Sequence, residues 1–245
     1  MHKGFFLDVL RRKPVLFAAI MAFNARDGAV GDGDALGLLH AAVPGAGDGL
    51  LRSPRVRRWL DRSSGPESPS GPAPFWDFAE ESRRMALLDA DEAARLALFF
   101  GTALHAPDFS RLVRRDDVLA LRAELGADLY AYGLQRGRYQ LGGVRRHFAP
   151  LREAERTGSG LAGRIREDGA RALALCADAW PDALRARLTW PADLLVPSGP
   201  GISHDFGAAD APVDDHGQAA WRGVWFGLRK LLLKEVGPQW APCFD

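Results

Sequence analysis

Residues 89–107, DADEAARLALFFGTALHAP, decide the fold class of this chain. Leu96, Phe99, Phe100, Ala103 and Leu104 recur at three- and four-residue intervals, the spacing that collects apolar side chains on one face of a helix. Asp89 or Asp91 can cap its start, and Pro107 predicts its stop. Downstream, Val118, Leu121, Leu125, Leu129 and Tyr132 continue one face of a second helix. Asp116 and Asp117 stand at its favourable dipole end, and Gly126 and Gly133 lie inside it. Leu161, Ile165, Ala172, Leu173, Cys176 and Trp180 make a third stripe, closed by Pro181. Trp221, Val224, Trp225, Leu228, Leu231 and Leu232 make a fourth, ended by Gly237 and Pro238. Alternating runs of β-branched residues are almost absent. Four stripes of this length need one another's faces to be stable, which predicts a mainly α protein. Residues 1–245 are read as a single irregular helical bundle with long Gly/Pro-rich loops.

Three stretches interrupt the helical period. Residues 27–49 are rich in Gly and Asp, residues 63–74 read SSGPESPSGPAP, and residues 197–217 read PSGPGISHDFGAADAPVDDHG. Their breaker residues predict loops, and segments 63–74 and 197–217 are read as flexible. At the N-terminus, basic residues through Lys13 precede the apolar run from Val15 to Phe23, in superficial imitation of an export signal. Apolar residues already precede the basic cluster and no small-residue cleavage site follows, so the run is read as a buried helix. No other stretch approaches the roughly 20 apolar residues that span a bilayer.

The composition sets further bounds. Hydrophobic residues make up 47% of the 245, enough for a sizeable core. The 32 Lys and Arg nearly balance 31 Asp and Glu, so a charged partner must be met by a local patch. Cys176 and Cys243 form no ligand cluster, and a reducing, cytoplasmic setting fits them.

Few residues carry the pattern of a chemical site. Asp32, Asp34 and Gly37 begin like a calcium loop, but Leu36 and Val43 stand where ligands are needed. Gly31, Gly33 and Gly37 miss the dinucleotide spacing. His204, Asp205, Asp214, Asp215 and His216 have metal-ligand chemistry, yet a loop of this composition supplies no rigid frame for them. The serine of Gly158-Ser159-Gly160 is read as the N-cap of the helix beginning near Leu161. His40, His105 and His147 are isolated in sequence, the pattern of ordinary surface or core histidines. Trp180, Trp190, Trp221, Trp225 and Trp240 are read as core or helix-end residues. No catalytic residue, cofactor or metal ligand is assigned. The most basic segment, read at helical spacing, places Arg55, Arg58, Trp59 and Arg62 on one face, a candidate for meeting an acidic protein surface or phosphate.

Residues 96–134 resemble the central segment of the SctK (YscK) family of type III secretion accessory proteins. The marks of the resemblance are Gly101 and His105 at the end of an apolar helix, a short turn, and then Leu125 and Gly126 before the aromatic Tyr130. Phe23-Asn24-Ala25-Arg26 with Leu39-His40 echoes the family's N-terminal segment, and the tail at residues 231–244 is compatible with it. The resemblance implies a cytoplasmic, non-enzymatic adaptor of the sorting platform, peripheral to the inner membrane at the injectisome base. It would join the cytoplasmic domain of the inner-membrane ring protein SctD to the pod protein SctQ. It implies no cofactor, no nucleic acid and no direct membrane insertion. Residues 63–74 and 197–217 depart from the family's pattern. Two other readings stay open: a helical metal-dependent enzyme using the loop of His204 and His216, and a nucleic-acid or other binding module.

Overall fold

The computed structural model describes residues 9, 11–25, 74–195 and 215–244, the last segment without the side chains of residues 215–219. Among them no strand occurs, and the fold is mainly helical. In chain order the helices are α1 (Pro14–Ala25), α2 (Ala90–Phe109), α3 (Arg115–Leu125), α4 (Ala127–Gln135), α5 (Gly158–Asp178), α6 (Asp182–Arg185), α7 (Ala192–Leu195), α8 (Asp215–Leu231) and α9 (Ala241–Phe244). Short 3-10 turns join several of them, and a π turn, Leu232–Val236, extends α8. Two compact units result, one of Met1–Glu80 with Pro181–Leu188 and one of Glu81–Trp180 with Thr189–Asp245.

In the first unit, α1 buries Leu16, Ile20 and Phe23, so the apolar N-terminal run is a helix. Asn24 fixes the following chain: its Nδ2 donates to the Phe75 carbonyl at 2.7 Å and its Oδ1 accepts from the Phe75 N–H at 2.8 Å. The edge of Phe78 meets Phe23 at 5.6 Å, and the Arg187 guanidinium lies 5.6 Å from the same Phe23 ring.

The second unit is organised around α2 and α5, which pack more extensively on each other than any other pair. Asp89 caps α2 in a reciprocal box with Glu92, so the first of the two candidate aspartates is the cap. Pro107 does not stop this helix. It lies inside the last turn, and α2 runs on to Phe109. A proline near a helix end forfeits one hydrogen bond without forbidding the final turn.

Gly126 divides what the periodicity reads as a single second helix. Its φ of 83° and ψ of 157° lie where a side chain is strained, and α3 ends there as α4 begins. The two helices still share the core: Leu121 of α3 is buried with Phe109, Leu161, Ala162 and Ile165, while Leu125 and Tyr130 pack against that group. The serine read as the cap of α5 lies within its first turn. Thr157 is the N-cap, its Oγ1 accepting from the Gly160 N–H at 3.2 Å.

The C-terminal stripe folds as read, with Val224, Trp225, Leu228, Leu231 and Leu232 buried and Trp221 half-buried. Helix α8 begins at Asp215, so the end of the segment read as a loop through residue 217 is already helical. The tail is tied down by Trp240 Nε1, which donates to Glu92 at 2.8 Å, and by Arg84, which donates to the Cys243 carbonyl at 2.7 Å. Trp180, Trp190 and Trp225 are buried and Trp240 is half-buried. Among the described residues, no helix is long and apolar enough to cross a membrane.

Candidate functional site

Where α2 and α5 cross, glycines bring the backbones together. A Cβ on Gly101 would stand 1.9 Å from the Ile165 carbonyl oxygen, and one on Gly169 would stand 2.1 Å from that of Ala97. Pairing 97 with 169 and 101 with 165 sets the two helices antiparallel. One turn beyond Gly101, His105 reaches across from α2 to α5.

His105 Nε2 lies 2.8 Å from Asp168 Oδ2. Asp168 is fully buried and also accepts from Arg164 Nε and Arg171 Nη1, each at 2.8 Å. Arg164 and Arg171 are themselves buried. The three α5 residues follow at four- and three-residue spacing, so a charged row runs beside the apolar row of Leu161, Ile165 and Leu173. Arg171 continues to Glu167 at 2.7 Å, and Arg164 donates to the Ala149 carbonyl at 3.3 Å. A carboxylate taken out of water is tolerated only when its oxygens are occupied in this way.

Asp108, one turn past His105, is the second buried carboxylate. It accepts from Arg111 at 2.8 Å and from Arg145 of the 3-10 turn Arg145–His147. Burial alone would raise its pKa, but nearby His105 and the charges of Arg145 and Arg111 outweigh that and hold it below the usual carboxylate range. The same competition acts on His105. Burial disfavours the imidazolium, yet the carboxylates of Asp108 and Asp168 prevail and raise the pKa above the ordinary histidine value. Its Nδ1 is buried and hydrogen-bonds to no protein atom, standing 3.7 Å from Asp108.

A cavity of about 530 Å³ opens beside these groups. His105, Asp108, Arg111, Arg145 and Arg156 supply its polar lining, and Leu104, Leu112, Phe148, Leu151 and Leu161 its apolar walls. Arg111 and Arg156 are largely exposed, with 75% and 63% of their side-chain surface in solvent, so they stand at the rim above a buried His105. The histidine held between two arginine-bound carboxylates places buried charged groups beside the cavity. Such a site is suited to holding charge, and its surplus of cations favours an anion.

The residues singled out in the sequence are distributed differently. Arg55, Arg58, Trp59 and Arg62 lie outside the described residues, as do residues 27–49, the calcium-like stretch within them, His204, and all but Pro74 of residues 63–74. Within residues 197–217 only the backbone of 215–217 is described. Among the described residues no group of three or more His, Cys, Asp or Glu is arranged to hold a metal ion. His105 is not the isolated histidine its sequence neighbourhood suggests. The signal that could have found its partner is the charged row Arg164, Asp168, Arg171 inside an otherwise apolar helix face. Cys176 and Cys243 are both buried, and burial pushes the Cys176 thiol up to about 12. Comparison with family profiles, curated proteins and solved structures gives no match.

Proposed function

We propose that the chain is a non-enzymatic helical adaptor of the SctK type, joining the cytoplasmic domain of the ring protein SctD to the pod protein SctQ at the cytoplasmic face of the inner membrane. One observation supports this reading above others: the residues that carry the resemblance share one structural task. Gly101 admits the α5 backbone, and His105 bonds to Asp168 on α5. Gly126 makes the bend between α3 and α4, while Leu125 and Tyr130 pack on the core at that junction. Tyr130 stacks on Phe109 with ring centres 5.5 Å apart. A motif spent on building a helix junction is what a scaffold needs, since a rigid scaffold lowers the cost of presenting partner surfaces.

The basic face of Arg55, Arg58, Trp59 and Arg62 remains the proposed contact for an acidic partner surface. Guanidinium groups grip carboxylates with paired hydrogen bonds and keep their charge at physiological pH. Pull-down of the cytoplasmic domain of SctD and of SctQ by this chain tests the proposal. Capture of both supports it, and capture of neither refutes it.

A further inference from the structure

The cavity beside His105 has the makings of a ligand site that the adaptor reading neither uses nor requires. Its volume of about 530 Å³ falls within the range of small-molecule pockets. Its walls are apolar at Leu104, Phe148 and Leu151, and its basic side chains come from separate segments: His105 on α2, Arg145 on the 3-10 turn, and Arg111 and Arg156 at the rim. The buried Nδ1 of His105 has no partner at hydrogen-bond distance, with Asp108 standing 3.7 Å away, and a buried donor left without a close acceptor is costly. We propose that this cavity binds a small organic monocarboxylate, its carboxylate held by His105, Arg145 and the rim arginines and its hydrocarbon body against the apolar walls.

The charge balance selects the class. Asp108 engages one nitrogen of Arg111 and one of Arg145, leaving further N–H groups on both guanidiniums for a ligand. A single negative charge can share those cations with Asp108, whereas a dianionic phosphate would bring a second charge toward the same buried carboxylate. The elevated His105 pKa keeps Nδ1 in its donating form over more of the pH range. The apolar walls give a hydrocarbon body something to bury, which inorganic anions lack.

The test is isothermal titration of the full chain with hydrocinnamate, with the matched alcohol, hydrocinnamyl alcohol, and with inorganic phosphate. The site predicts saturable one-to-one binding of hydrocinnamate, at least roughly tenfold weaker binding of the alcohol, and no competition by phosphate. Arg111→Gln/Arg156→Gln alters only largely exposed side chains and should weaken hydrocinnamate by roughly tenfold or more with the fold unchanged by circular dichroism. Leu151→Trp should abolish binding by filling the cavity. No binding of hydrocinnamate, equal binding of acid and alcohol, displacement by phosphate, or undiminished binding in both variants would each overturn the proposal.

Discussion

His105 and Asp168 meet across the α2–α5 crossing at 2.8 Å, and Asp168 in turn holds Arg164 and Arg171 inside the protein. The carboxylate therefore compensates two buried cations and a histidine. Asp168→Asn leaves these buried donors short of charge, and it should destabilise the fold by about 3–5 kcal/mol. Urea unfolding of parent and variant measures this, and a loss below about 1 kcal/mol would mean that the network is not buried as described.

Stability should carry a pH signature of His105. A folded-state pKa raised above the unfolded value contributes stability that is fully present below the unfolded value and fades as pH rises through the folded one. For His105 the unfolded reference is 6.5, so the stability gap between parent and His105→Gln should be widest below it and narrow above. The groups facing His105 are Asp168 from α5 and Asp108 from its own helix, and Asp108 stays ionised throughout because its pKa is lowered. Each pH unit of displacement is worth about 1.4 kcal/mol. Denaturant midpoints measured across neutral pH check the slope; a gap that widens with rising pH has the wrong sign for this account.

The glycines of α5 should separate by environment. Gly169→Ala, like Gly101→Ala on α2, forces a Cβ into a facing carbonyl and should cost about 3 kcal/mol as the helices part. Gly163→Ala, on the same α5, meets nothing within 4 Å and should stabilise by about 0.5–1 kcal/mol through helix propensity. Thermal unfolding of the three variants reads both signs.

Gly126→Ala tests the break between α3 and α4. Space is free around it, so any cost comes from backbone strain at φ 83° and should be about 1–3 kcal/mol. A stabilised variant would show that α3 and α4 are one continuous helix, as the apolar period alone suggests.

The fold was legible where burial follows a simple period. The stripes of α2, α5 and α8 lie where their apolar spacing puts them, because each packs one face against the core. Boundaries were less legible. Pro107 permits a last turn, and Gly126 breaks a pattern that is apolar on both sides, since period says nothing of backbone dihedral. The candidate site was hardest to see because its parts come from distant segments. Nothing near His105 in sequence announces Asp168, 63 residues away, and Arg145 arrives from a turn with no period at all. Only the charges of Arg164, Asp168 and Arg171 on the buried side of α5 gave a local sign.

The proposed joining of two proteins is tested most directly by a binding titration of the chain against the cytoplasmic domain of SctD, with SctQ then added. The account predicts that each partner binds and that a ternary complex forms. It further predicts that Arg55→Glu/Arg58→Glu weakens one of the two contacts by several kcal/mol, with higher salt weakening the parent complex in the same direction. Absence of binding to either partner by folded protein would contradict the account.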